Sequence, residues 1–281
     1  MSRQTQQQIG FAFLTLATII VVLPILALVV YIIAQGASAI SWEFITAMPR
    51  DGMRAGGLWP AIVGTALLTL GTAVFAVPVG VAVAIYLAEY ARDTLFTRLI
   101  RLAIINLAGV SSVVYGLFGL GLFVIFLQFG TSILAGSLTL AIMTLPVIIS
   151  TAEEALRAVP QSFRIVSLSL GGTQWQTVRR VVLPQALPGI LTGVILGLER
   201  AAGETAPILF TVAAFFLPRL PHSIFDQTMA LPYHLFVIST QVPGMPVHIQ
   251  YGTALVLLVF VLSMNVLAAI MRSRFRAKRQ W

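Results

Sequence analysis

Charged side chains fall in clusters along this chain, separated by apolar intervals long enough to cross a bilayer. No charge lies between Arg3 and Glu43, between Arg54 and Glu89, or from residue 102 to residue 152. A charge at the bilayer centre is costly and a helix needs about 20 residues to cross about 30 Å, so these intervals predict membrane spans. Residues 10–34 form the first. It is read as an uncleaved helix, because its apolar run exceeds the roughly 7 to 15 residues of a signal-peptide core. Residues 61–86 form the second, in which Gly64, Gly71 and Gly80 let another helix come close. The stretch 102–152 is too long for one span and suits two, 102–127 and 132–150, turning at Gly130-Thr131-Ser132. Spans at 186–214 and 251–271 complete six. The fold class is an all-α membrane protein, with residues 1–281 as one transmembrane domain.

Composition narrows the function classes. Of 281 residues 58% are hydrophobic and 9% charged, against about 25% charged in a soluble domain. Too few polar side chains remain to cover a water-facing globule, which excludes most soluble enzymes. In a soluble protein the net charge of +8 would suggest nucleic acid; here the basic residues sit in short loops and report orientation. Arg3, Arg92, Arg98, Arg101, Arg157, Arg164, Arg179, Arg180, Arg272, Arg274, Arg276, Lys278 and Arg279 fall on one side, against Arg50, Arg54 and Arg219 on the other. The excess of positive charge marks the cytosolic face, so both termini are expected in the cytosol of a plasma (inner) membrane, with lipid but no nucleic acid as partner.

The chain has no cysteine, which removes disulfides and thiolate chemistry. His222, His234 and His248 share one loop without a carboxylate in metal-ligand register, so no metal site is expected. Lys278 is the only lysine, near the carboxyl end. That excludes a phosphate-binding P-loop, and any ATP must be spent by a partner.

Residues 152–185 form the longest cytosolic connection and read as structured. A helix from Pro160 puts Phe163, Val166 and Leu170 on one face and stops at Gly171-Gly172. Thr173 with Gln176 has the form of a capping box starting a second helix through Arg180, with Pro184 ending the segment. Such an elbow suits docking, or a loop lying on the membrane surface.

The fifth span contains Glu199, Arg200 and Glu204. Counting about 1.5 Å per residue from Pro188 puts Arg200 roughly 18 Å into the membrane, with Glu204 one turn later on the same face. A guanidinium has a permanent charge and a donor fork suited to an oxyanion, so Arg200 and Glu204 are candidate path residues, alongside Glu199. Thr205, Ser111, Ser112 and Tyr115 are candidate neutral donors. No histidine, cysteine or metal ligand accompanies these carboxylates within the spans, which argues against an intramembrane enzyme.

The elbow reads Ile165-Val166-Ser167, then Gly171 after three residues, then Val181-x-Leu183-Pro184 after nine more. This resembles the pattern E-A-A-x3-G-x9-I-x-L-P in membrane subunits of bacterial ABC importers, with Ile165 where the family usually has glutamate. The blocks 86–91 (YLAEYA), 113–120 (VVYGLFGL), 153–160 (EEALRAVP) and 200–207 (RAAGETAP) are similar to the PstA family of phosphate-importer permeases. The similarity spans about residues 60–215, with Ser111 where that family is expected to have proline. It implies a type I importer permease fold carrying inorganic phosphate. It implies a PstC-like second permease, a PstB-like ATPase homodimer holding ATP and Mg, and a PstS-like extracytoplasmic phosphate-binding protein, with no cofactor in this chain. It also implies ATPase coupling through Ile165, Gly171, Gly172, Trp175, Leu183 and Pro184. The residues alone leave sulfate or another oxyanion open as cargo, and a secondary anion transporter as mechanism.

Overall fold

The computed structural model describes residues 3–277, which leaves Lys278 and Arg279 of the basic tail outside the described residues, together with the side chains of Arg3, Arg272, Arg274 and Arg276. Helix α1 (Arg3–Gly36) is followed by a short cap containing α2 (Trp42–Thr46). The cap also holds a two-residue antiparallel ladder, β1 (Pro49–Arg50) with β2 (Ala55–Gly56). Then come α3 (Trp59–Ile85), α4 (Leu95–Ala108), α5 (Ser112–Gly119) and α6 (Ile133–Arg157). The elbow is α7 (Gln161–Ser169) and α8 (Gln174–Thr177). The chain finishes with α9 (Leu183–Gly203), α10 (Ala206–Thr211), α11 (Leu231–Thr240) and α12 (Val247–Ala277). Wide π turns extend α3 (Tyr86–Tyr90) and α5 (Leu120–Phe126), and another joins α8 to α9 (Val178–Val182).

Among the described residues, five helices are long and apolar enough to span a bilayer, and a bent pair of shorter helices passes the same test together as a sixth candidate. Helices α4 and α5 are bent by 103°, so the continuous third span over 102–127 is corrected to two pieces. Gly109 closes α4, and Ser111 takes an extended backbone (φ −62, ψ 142) that no helix can pass through. The Tyr115 hydroxyl donates to the Leu107 carbonyl at 2.8 Å, satisfying backbone that the break releases.

The fourth span continues past residue 150 to Arg157, which pairs with Glu153 one turn earlier at 2.9 Å. The fifth begins earlier and ends sooner than 186–214. One helical path runs from Gln174 to Gly203, and Pro184 sits in the first turn of α9 instead of stopping the elbow. The π turn ahead of Pro184 removes the demand for the N–H that proline lacks. Glu204 is extended (φ −78, ψ 136), and α10 restarts with Pro207 in its first turn, where proline is tolerated. Helix α11 lies in the histidine-containing loop between the fifth and sixth spans.

Helix α6 is the central element, packed between α3 and α9. A Cβ at Gly71 or Gly80 of α3 would strike Ser137 or Ile148 of α6, whereas Gly64 faces the Met229 carbonyl and the Thr228 side chain in the loop before α11, not a helix. On the other side Gly189, Gly193 and Gly197 of α9 lie on Ala155, Thr151 and the Thr144–Ile148 turn of α6. Small residues at every fourth position let the two backbones approach closely, which is what drives helix association where lipid offers no hydrophobic contrast. Thr65, Thr69 and Thr72 bury their hydroxyls on α3 by donating to carbonyls one turn back, at 2.7–2.8 Å. Two apolar clusters result: one toward the cap around Leu140, Ile208 and Leu231, and one toward the elbow around Leu87, Leu156 and Val182. Helix α1 stands outside both, its end packed on the start of α12 with Tyr31 edge-on to Tyr251 at 5.4 Å. The described ends of α1 and α12 therefore lie on the elbow side.

Candidate functional site

Two groups of charged residues stand out within this frame, one at the end of α9, about midway along the facing α6, and one beneath the elbow. Gly197 meets the middle of α6, and Arg200 lies one turn further toward the cap. It stands in the last turn of α9, where a cation complements the helix dipole. Glu204 lies beyond the helix end, so the expected common helical face is corrected: its carboxylate folds back and accepts from Arg200 Nε at 3.4 Å. The contact is long and single, with side-chain exposures of 36% for Arg200 and 19% for Glu204. Glu199 is half-buried on the adjoining face.

Helix α5 borders the break between α9 and α10, because Gly116 packs against Ala206 and Pro207. That places Tyr115 on the helix bordering the break. The Tyr115 hydroxyl is already spent on Leu107, so this residue positions the α4–α5 break rather than offering a free donor. Ser111 is exposed and Ser112 and Thr205 are half-buried. Among the described residues, no hydrogen bond joins their hydroxyls to Arg200. The midway group is thus one guanidinium with a loosely held counter-ion at the lip of a helix break.

The elbow folds as its caps direct. Thr173 accepts from the Gln176 N–H at 3.3 Å while the Gln176 side chain accepts from the Thr173 N–H at 2.9 Å, closing the capping box. Gly171 sits at φ +83, a conformation that a side chain would strain. Ile165, Val166, Leu168, Leu170 and Trp175 are exposed around this corner, beside a cavity of about 550 Å³ lined by Phe163, Val166, Leu170 and Gly172. Leu183 and Pro184 are not part of that surface; both are half-buried in the first turn of α9, and Leu183 packs into the elbow-side core.

Beneath the elbow lies a charge network that sequence patterning did not single out. Arg164 of α7 donates from Nε and Nη2 to the two carboxylate oxygens of Glu89 at 3.2 and 2.6 Å, with exposures of only 14% and 7%. The same guanidinium donates to the carbonyls of Val159 at 2.6 Å and Leu156 at 2.9 Å. Arg101 of α4 donates to Glu153 at 3.0 Å and to the Leu87 carbonyl at 2.9 Å. The available signal was weak: Glu89 and Glu153 are acids on the arginine-rich side of the membrane, within blocks already noted for their resemblance.

The chain matches the model for the binding-protein-dependent transport system inner membrane component over residues 76–278. It is 33% identical to the probable ABC transporter permease protein YqgI of Bacillus subtilis over 95% of each chain. The chain belongs to this permease family. It is also 32% identical to the phosphate transport system permease protein PstA 1 of Mycobacterium tuberculosis, over 96% of this chain and 90% of that one. With PstA of Mycobacterium leprae the identity is 34% over the same shares. Among solved structures, a bacterial alginate ABC transporter aligns at a TM-score of 0.70 and 15% identity over 96% of both chains. The MetNI methionine ABC transporter aligns at 0.63 and 16%, over 76% of this chain and 94% of that one. The fold is that of a type I importer permease: an integral, multi-pass subunit that is not itself catalytic and whose family works with a partner ATPase and a substrate-binding protein.

Proposed function

We propose that this permease carries inorganic phosphate into the cell and that Arg200 gives the anion a weak stop halfway across. The observation that carries the reading is the guanidinium of Arg200, the only Lys or Arg within Leu183–Gly203, held among the described residues by one 3.4 Å contact through Nε at the end of a broken helix. Its Nη groups are left to meet phosphate oxygens in the forked geometry arginine favours. Glu204 neutralises the guanidinium between transport events and competes with the ion, which keeps the stop weak enough to release. Thr205, Ser111 and Ser112 add neutral donors along the path, with Glu199 setting the local charge. Relatives at 32–34% identity that are named phosphate permeases support phosphate as the cargo.

One chain of six spans does not enclose a path, so a PstC-like second permease supplies the facing wall. A PstB-like ATPase homodimer, holding ATP and Mg, seats against Ile165, Gly171, Gly172 and Trp175, with Leu183 and Pro184 carrying the movement into α9. The elbow side, with both termini, is then cytosolic, and a PstS-like phosphate-binding protein docks on the cap.

The test is ATP hydrolysis and uptake by the assembled importer in membrane vesicles. Phosphate-loaded binding protein should stimulate hydrolysis, and Arg200→Ala should lose phosphate uptake. Stimulation by a sulfate-loaded binding protein instead would overturn phosphate as cargo. Native uptake by both Arg200→Ala and Arg200→Lys would overturn the role of Arg200.

A further inference from the structure

The elbow carries Arg164, Arg179 and Arg180 but no Asp or Glu anywhere from residue 155 to residue 198. Among the described residues, its one ion pair to the rest of the molecule is Arg164 with Glu89. Glu89 lies in the π turn Tyr86–Tyr90 that ends α3, and both arms of the elbow reach it. Arg164 of α7 takes its carboxylate and Gln174 of α8 donates to its main-chain carbonyl at 2.7 Å. A π turn redirects backbone carbonyls away from the ordinary ladder and recurs at functional positions in helices. Here the carbonyls of Leu87 and Glu89 accept from side chains of α4 and α8. The pair forms one wall of a cavity of about 500 Å³ that also touches Ala88, Leu168 and Val178.

We propose that Glu89 is a positioning residue through which the elbow moves the second span, so that α7, α8 and α3 shift as one body during transport. A forked, buried arginine–carboxylate contact resists sliding and rotation, which a single hydrogen bond or an apolar contact does not. Helix α3 packs along α6, with Gly71 and Gly80 set against Ser137 and Ile148. Displacement of its lower turn is therefore passed to the centre of the bundle and toward Arg200. The proposal rests on the elbow being the ATPase contact. It does not depend on which solute is carried.

The absence of native cysteine makes a distance measurement direct. Spin labels on Ser169→Cys at the end of α7 and Val79→Cys on the exposed face of α3 are read by pulsed electron resonance, in the complete complex with its ATPase, with and without ATP. The native distance should stay narrow and unchanged between nucleotide states. In Glu89→Gln, and in Glu89→Gln with Arg164→Gln, it should broaden or shift on adding ATP. In the same variants hydrolysis should stay within about 2-fold of native while uptake falls about 10-fold or more, the signature of broken coupling. The double variant leaves no unpaired buried charge and so keeps the test readable if the single one fails to assemble. Gln174→Ala, an exposed side chain, should give a smaller broadening in the same direction. A native distribution in the double variant, or hydrolysis and uptake falling in equal proportion, overturns the proposal. Intact coupling by sulfate alone would overturn the phosphate reading and leave this one standing.

Discussion

Two arginine–carboxylate pairs, built from the same chemical groups, are held in opposite ways. Beneath the elbow, Arg164 grips Glu89 with two contacts, closes two further bonds to backbone carbonyls, and is almost wholly buried. In the last turn of α9, Arg200 touches Glu204 once at 3.4 Å and keeps more than a third of its side chain exposed. A third pair, Arg98 with Asp93, has two contacts at 2.9 and 2.8 Å but lies open to solvent. Arg98 holds the Asp93 carboxyl below the usual carboxylate range, by hydrogen bonding first and charge second. Geometry alone therefore does not rank these pairs. Burial decides what breaking a pair costs, and the number of committed donors decides whether the pair can exchange its partner.

The largest effect is expected beneath the elbow. Arg164→Ala leaves Glu89 buried without its counter-charge and should destabilise the permease by about 3–5 kcal/mol, measured as thermal unfolding in detergent. Replacing both residues by glutamine should recover most of that loss, because the cost lies in the orphaned charge. Equal destabilisation by the single and double variants would show that the pair is ordinary packing.

Next comes Arg200→Ala, which should reduce phosphate uptake about 10-fold or more while changing stability by about 1 kcal/mol or less, since the pair is loose and partly exposed. A large fall in stability with uptake per folded molecule intact would make the midway pair a staple like the other. Glu204→Gln should act more mildly. With its competitor gone the anion is held harder, so uptake should saturate at a lower phosphate concentration and run a few-fold slower at its maximum. Uptake kinetics unchanged in both respects would remove Glu204 from the path. The smallest effect is expected of Asp93→Asn, for which unfolding temperature and uptake should match the native protein, because exposed pairs contribute little.

Much of the frame was legible in the order of residues. The apolar middles of α1, α3, α6 and α12 fall in intervals without charge, while α6 runs on through Glu153 to Arg157, because the bilayer penalises a charge wherever a helix crosses. The elbow was legible too, since the Thr173–Gln176 capping box and the glycine at 171 are local devices that fold within a few residues. The glycines at 189, 193 and 197 were an available signal for the contact of α9 with α6, and hydropathy does not register them.

The breaks were less legible. Gly109, Ser111, Gly203 and Pro207 each tolerate a helix or end one, and the outcome rests on neighbours. The α4–α5 corner has Tyr115 reaching back to Leu107, and the end of α9 has α5 packed against Ala206 and Pro207 through Gly116. Hydropathy is blind to both, because the corner and the straight helix contain the same apolar residues.

Sequence by itself determined that this chain crosses a membrane several times, places one arginine within its fifth span, and forms a capped elbow in its longest cytosolic connection. Each of these follows from the solvation cost of a charge or from bonds between near neighbours in the chain. Only the tertiary structure decided which charge meets which. Glu89 and Arg164 are 75 residues apart and Arg101 and Glu153 are 52 apart. Local spacing rules reach no further than one helical turn. Whether a pair is a clamp or a loose latch depends on how many donors are committed and how much water remains, and both are set when separate helices close over it.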